Sequence, residues 1–180
     1  MSTVEPIRRI EDIRKVEKIL AKQSKRDYVL FVLGTNSGLR ISDILSLNVA
    51  DVRDKTHIQI TEKKTGKFKK FPINDKLKPT LEDFIKGRKN KEPLFMSYWG
   101  HRLDRVTAYY IIHDACRSAG IKDRIGTHSM RKTFGYHHYK KYKNIAILQK
   151  IFNHSSPQIT IRYIGIEQDE IDDSYRNFVI

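Results

Sequence analysis

The stretch THSMRKTFGYHHYKKYKNIAILQKIFNHSSPQITIRY, Thr127–Tyr163, decides how this chain is read, because it sets four groups suited to a phosphodiester in short order. His128 and Arg131 stand three residues apart, so one face of a helix can present both to a single anion. His154 is followed by Ser155, Ser156 and Pro157, a serine cap with proline in the first helical turn. Tyr163 closes the run among Ile159, Ile161 and Ile164. Each residue also has an ordinary reading. A His-x-x-Arg pair fits a solvated helix face, the cap explains the serines without the histidine, and a tyrosine among isoleucines fits a half-buried core position with a satisfied hydroxyl. Nine tyrosines are present, so residue type alone does not single out a nucleophile.

Upstream, Arg40 follows Gly38 and Leu39 at the start of a short helix with Ile41, Ile44, Leu45 and Leu47. A cation there opposes the helix dipole, an unfavourable local choice that hints at function. Ile10 to Ala21 is an amphipathic helix by its apolar spacing, and Lys25 to Asn36 a second, with Gly38 as its stop. Between His57 and Ile73 the pattern alternates around Lys63-Lys64-Thr65-Gly66-Lys67, which predicts a small β-hairpin with Lys64 at its tip. By default Lys64 is a solvated lysine. Helical spacing returns at Leu77, Leu81, Phe84 and Ile85, then from Val106 to Ala115, with Gly120 ending that run. Further helices are expected over Ser129–Lys141, Ile145–Phe152, Pro157–Ile164 and Glu167–Arg176. The fold class is mainly α with a small antiparallel β-sheet, an α+β arrangement, in one unit spanning residues 1–180.

The 35 Lys and Arg against 21 Asp and Glu give a formal net charge of +14. Such a balance points to a polyanion, nucleic acid first, because each cation that neutralises a phosphate releases counterions. A merely soluble basic protein or a ligand of anionic membranes carries the same charge. The apolar run Tyr28 to Leu33 is far too short to span a membrane, and the N-terminus has no apolar signal core, so a cytoplasmic protein is expected. Cys116 is the sole cysteine, which leaves no internal disulfide and no cysteine framework for zinc. There is no glycine-rich phosphate loop, His-Glu-x-x-His pair or nucleophile elbow. His137 and His138 are adjacent on a helix and point apart, so they make no metal pair and read as DNA-facing or polar surface.

Taken in order, these residues resemble the tyrosine recombinase family of lambda-type integrases, Xer and Cre recombinases and fimbrial invertases. The first box is similar to Thr35-Asn36-Ser37-Gly38-Leu39-Arg40-Ile41-Ser42-Asp43, and the hairpin lysine falls at Lys64, beside Lys63. The second resembles Thr127-His128-Ser129-Met130-Arg131-Lys132-Thr133. The third resembles Phe152-Asn153-His154-Ser155-Ser156-Pro157, followed by Thr160 and Tyr163. The resemblance covers nearly the whole chain. Asn153 stands where glycine is usual and Met130 where leucine is usual, and neither removes a catalytic group.

The resemblance implies a catalytic domain that cuts and rejoins DNA through a 3′-phosphotyrosine. Tyr163 would be the nucleophile, Arg40 and Arg131 the phosphate ligands, and His128 and His154 the proton-handling and phosphate-binding histidines. Lys64 would be the acid for the leaving 5′ oxygen and Asp43 the supporting carboxylate. No metal and no other cofactor would be needed. Double-stranded DNA is the implied partner, with a homo-tetramer on paired sites, and the origin implied is bacterial or phage. The helix over 167–180 has an apolar face in Ile171, Tyr175, Phe178 and Val179, suited equally to a neighbouring protomer or to its own domain. The N-terminal core-binding domain of most relatives is not expected, whether the chain is a short recombinase or an excised domain. A type IB topoisomerase shares the chemistry, and a DNA-binding module or regulator without catalysis is the alternative from a different class.

Overall fold

The computed structural model describes residues 4–178. Helix α1, Ile10–Gln23, turns Val16 and Leu20 inward, and Ser24 ends it while its side chain caps α2 by accepting from the Asp27 N–H. Helix α2, Lys25–Ser37, is the central helix: Val29 through Gly34 are all buried, and α1, α4 (Leu77–Ile85) and α6 (Thr127–Tyr142) all pack on it. A helix apolar all round belongs inside, which is why this short run reads as core and not as membrane span. Among the described residues no helix is long and apolar enough to cross a membrane.

Gly38 ends α2 in the left-handed region at φ 61°, and a Cβ there would lie 2.6 Å from the Phe134 ring. The turn it permits delivers Arg40 to the start of α3, Ile41–Ile44. This helix is shorter than its apolar spacing suggests. Leu47 is buried beyond its end, and a 3-10 turn over Val49–Asp51, which periodicity does not announce, is closed by reciprocal bonds between Asn48 and Asp51.

Strands β1, His57–Thr61, and β2, Phe68–Pro72, form an antiparallel pair in register from His57 opposite Pro72 to Thr61 opposite Phe68. The hairpin expected from the alternation is present. Helix α5, Arg105–Ser118, is capped by Asp104, and α6 begins at Thr127, two residues before the apolar pattern suggests, because Ser129 Oγ accepts from the Gly126 N–H. Helices α7, Ile145–Phe152, and α8, Pro157–Ile164, follow, each with an asparagine or serine cap. Helix α9, Ile166–Asn177, closes the described chain.

The larger core lies around α2. A second, smaller core of Tyr136, Leu148, Phe152, Ile164 and Ile166 joins α6 to α7, α8 and the first residue of α9. Two close approaches hold α6 between them. Gly34 lets Met130 lie against α2, where an added Cβ would meet Sδ at 2.5 Å, and Gly135 admits Ile164 and Phe152 at 2.6 and 2.7 Å. The unbranched, flexible thioether of Met130 fills such a gap where leucine, usual at this position, would fork at Cγ.

Candidate active site

Arg131 joins the three boxes. Its side chain is among the largest fully buried ones in the chain, with Nη1 donating to Gly38 O at 2.6 Å and Nη2 to Phe152 O at 2.9 Å. The guanidinium also lies over the Phe152 ring, 4.4 Å from its centroid. Both carbonyls belong to helix ends, where the chain has spare acceptors. A guanidinium has five N–H donors, so two carbonyls leave it donors for a further ligand.

Arg40 sits at the N-terminus of α3 with its side chain 16% exposed, and its Nη1 is 2.9 Å from Oε2 of the fully buried Glu62. Asp43, one turn on and also buried, accepts from the Lys63 N–H at 3.0 Å and so ties α3 to the hairpin. Lys69 enters from β2, donating to Ile151 O at 2.9 Å with its ammonium 3.9 Å from Glu62 Oε1. Burial, then the charge of Arg131, pushes the Lys69 ammonium down to about 8. Burial alone would raise the Glu62 carboxyl. The Thr65 hydrogen bond, the Arg40 guanidinium and the Asn153 hydrogen bond outweigh it and hold the group below its ordinary value, so it is ionised.

His154 follows Asn153, which ends α7 in the left-handed region at φ 55°. Its Nδ1 is 3.0 Å from Thr160 Oγ1, and that hydroxyl has Ser156 O as its other acceptor at 3.3 Å. The shorter contact favours donation by Thr160 to Nδ1, which puts the ring proton on Nε2. Burial, followed by Arg131 and Arg40, pushes the His154 pKa down to about 4. The serine and proline that follow cap α8 as the sequence suggests, with Ser156 Oγ accepting from the Ile159 N–H.

Tyr163 projects from the last turn of α8, edge-on to His154 at 5.1 Å between centroids and to Phe152 at 5.6 Å. Burial raises its pKa, while the charges of Arg131 and Arg40 and a hydrogen bond with Arg131 pull the other way. Lys132, buried with its ammonium 5.2 Å from the Tyr163 ring centroid, is a neighbour that sequence reasoning does not single out. His128 keeps more than a third of its surface exposed in the first turn of α6. Partial burial, then Arg105, Arg131, Arg40 and Lys132, lowers its pKa.

Arg40, Asp43, Arg131, His154 and Tyr163 are thus brought together, with His128 at the margin. Lys64 is not: it is exposed in the turn between β1 and β2 and has no hydrogen bond or ion pair among the described residues. His137 and His138 are not free surface either. His137 Nε2 is 2.9 Å from Ile7 O, and His138 lies against Phe134 and Tyr142, so both are packing residues. Burial pushes the Cys116 thiol up to about 12, which makes it an inert core residue. Among the described residues no three His, Cys, Asp or Glu side chains gather as a metal ion would require.

A chain built this way has close counterparts. Residues 7–170 match the family model described as the phage integrase family. A probable integrase/recombinase, YoeC, of Bacillus subtilis (strain 168) is 48% identical over 179 residues, covering 99% of this chain and 98% of that one. The crystal structure of XerA recombinase superposes with a TM-score of 0.76 at 19% identity, over 99% of this chain and 66% of that one. A lambda integrase tetramer bound to a Holliday junction superposes at 0.71 with 17% identity, over 92% of this chain and 50% of that one. The chain therefore spans nearly all of the Bacillus relative but only half to two thirds of the solved recombinases. The fold is that of a tyrosine recombinase catalytic domain, and the chain belongs to the phage integrase family.

Proposed function

We propose that this chain is a site-specific DNA recombinase that cleaves and rejoins strands through a 3′-phosphotyrosine at Tyr163, with residues 4–178 acting as one catalytic domain. The observation that carries the reading is Arg131, one buried guanidinium bonded to Gly38 at the end of α2 and Phe152 at the end of α7, and lying over the Phe152 ring that Tyr163 meets edge-on. A fold has little use for so expensive a junction, whereas a phosphodiester needs cations held still at a nucleophile.

Tyr163 Oη attacks the phosphorus, the P–O5′ bond breaks, and the 5′ oxygen leaves as a hydroxyl. Arg40 and Arg131 offset the charge that grows on the non-bridging oxygens. His128 takes the tyrosine proton, His154 donates from Nε2 to the same phosphate, and Lys64 protonates the 5′ oxygen once DNA draws the hairpin turn inward. The phosphotyrosine keeps the energy of the broken bond, so a 5′ hydroxyl from another strand reverses the step. The net charge of +14 suits double-stranded DNA. The lambda tetramer on a junction supports a homo-tetramer on paired sites for this chain too.

The test is a nicked duplex of the DNA flanking its gene, incubated with the protein in EDTA and run on a denaturing SDS gel. A shifted band mapping to Tyr163 is expected, and Tyr163→Phe should bind the duplex with no band. A band persisting in that variant would assign the nucleophile to another tyrosine. No band from the wild type, with binding intact, would leave a DNA-binding module.

A further inference from the structure

Glu62 is a carboxylate with no role in the chemistry above, and it sits at the centre of the site. It is fully buried, and its Oε2 accepts hydrogen bonds from Thr65 Oγ1 at 2.7 Å and Asn153 Nδ2 at 3.1 Å and forms an ion pair with Arg40 Nη1 at 2.9 Å. Its Oε1 has only the Lys69 ammonium, at 3.9 Å, and no hydrogen bond. The three partners of Oε2 come from different places: the start of α3, the hairpin turn, and the residue before His154.

We propose that Glu62 is a positioning residue, fixing Arg40, the hairpin turn and the entry to His154 as one unit. This rests on the recombinase reading above.

Cost argues for a functional placement. Buried polar atoms without hydrogen bonds are rare in folded proteins, yet Arg40 Nη1, Asp43 Oδ2 and Glu62 Oε1 all lack one here. An apolar residue at position 62 would serve the fold alone as well or better. Charge gives a second argument. Arg40, Arg131 and Lys69 are three cations against the two carboxylates of Asp43 and Glu62, leaving one positive charge, which a phosphodiester would neutralise. Without Glu62 the same guanidinium would be mutually repelled by Arg131 and Lys69 and free to swing.

Asn153 is the third argument. Its backbone at φ 55° is one that glycine, the usual residue of the family box, adopts without strain. Asparagine is the side chain that best tolerates this region, and here it adds an amide that reaches Glu62 across 91 residues of chain. The Glu62 main chain is engaged as well, its N–H donating to Lys67 O and its carbonyl accepting from the Gly66 N–H, both at 2.9 Å. A shift of the carboxylate therefore moves the turn that carries Lys64.

The test compares wild type, Glu62→Gln, Asn153→Gly and the double variant on the nicked duplex. Three quantities are read: melting temperature, the Kd for DNA, and the single-turnover rate of adduct formation. Glu62→Gln should melt near wild type and bind DNA at least as tightly, while its cleavage rate falls roughly 10- to 100-fold through misplaced groups. Asn153→Gly should slow cleavage less, and the double variant should be no slower than Glu62→Gln, because both break one contact. Wild-type rates in Glu62→Gln would overturn the inference. So would losses of rate that merely follow losses of melting temperature and binding. Should Glu62→Gln fail to fold, Asn153→Gly decides alone, and a wild-type rate in it overturns the proposal. A wild type that binds but forms no adduct would overturn the recombinase reading and this inference with it, a result distinct from all the others.

Discussion

His154 makes the stability of the chain depend on acid. Burial, then Arg131 and Arg40, places its folded pKa at about 4 against an ordinary 6.5. Between those values the unfolded chain binds a proton that the folded chain refuses, so stability is complete above pH 6.5 and falls as pH drops towards 4. The full shift corresponds to about 3 kcal/mol. The ring is only part-buried, so solvent screening reduces the expected loss to about 1–2 kcal/mol. Urea midpoints at pH 7.5 and pH 5 check this: His154→Gln should show the shallower fall, and equal falls in both proteins would locate the acid sensitivity elsewhere. The gathering of Arg40, Arg131, His154 and Tyr163 was legible because helix spacing and box order are local properties of sequence. Glu62, Lys69 and Lys132 were not, because nothing in Glu62-Lys63-Lys64-Thr65-Gly66-Lys67 marks one charge as buried among solvated ones. The partners that bury Glu62 are Arg40, before the hairpin, and Asn153, far beyond it. Lys64 stands apart in the opposite sense: motif order points it towards the site, whereas the turn between β1 and β2 leaves it exposed.

At the scale of elements, apolar periodicity and caps located nearly every helix and the hairpin, since those signals are written within a few residues. The helix ends shifted wherever a side chain made a bond that periodicity ignores, as Ser129 does in starting α6 early. Periodicity also said nothing of how close the helices approach, and that closeness places the nucleophile. Gly135, in the middle of α6, faces Ile164 and Phe152, so α8 with Tyr163 lies directly against the α6 backbone. In Gly135→Ala the added Cβ would stand 2.6 Å from Ile164 and 2.7 Å from Phe152. The intrinsic gain of alanine in a helix, about 1 kcal/mol, is outweighed by overpacking of roughly 1–3 kcal/mol. The net expectation is a modest loss in chemical denaturation with a larger loss of cleavage rate, because α7 and α8 are pushed off Arg131. Gly87→Ala is the control. Unlike Gly135 it sits at positive φ, and an added Cβ there has nothing within 4 Å, so it should cost stability by strain alone and leave the rate unchanged. Equal rates in the two variants would show that the spacing between α6 and α8 does not set the position of Tyr163.

For the whole molecule, the net charge of +14 is spread unevenly, and α9 is the exception, with Glu167, Asp169, Glu170, Asp172 and Asp173 in one helix. Such a segment is repelled by phosphate and belongs against protein. Its first turns are held by the chain itself: Ile166 is buried in the smaller core, and Asp169 pairs with Arg8 at 3.1 Å. The far end is not. Ile171, Tyr175 and Phe178 are 45%, 80% and 73% exposed, and Val179 of the same apolar face lies outside the described residues. The reading that the helix folds back on its own domain therefore holds for its start, and for its exposed end we propose docking on a second protomer, whose basic body suits an acidic helix. In Ile171→Asp with Tyr175→Asp the apolar face is lost and the cis anchor kept. Binding of one site and single-site cleavage should then persist, while assembly on paired sites, read as the tetramer mass by light scattering on DNA, should weaken at least tenfold, the equivalent of about 1.4 kcal/mol. Removing the anchor instead, with Asp169→Asn, should change melting temperature before assembly, since Arg8 and α6 are what it touches. An unchanged tetramer in the double variant would return the whole helix to its own domain and require the contacts between protomers to come from elsewhere on the chain.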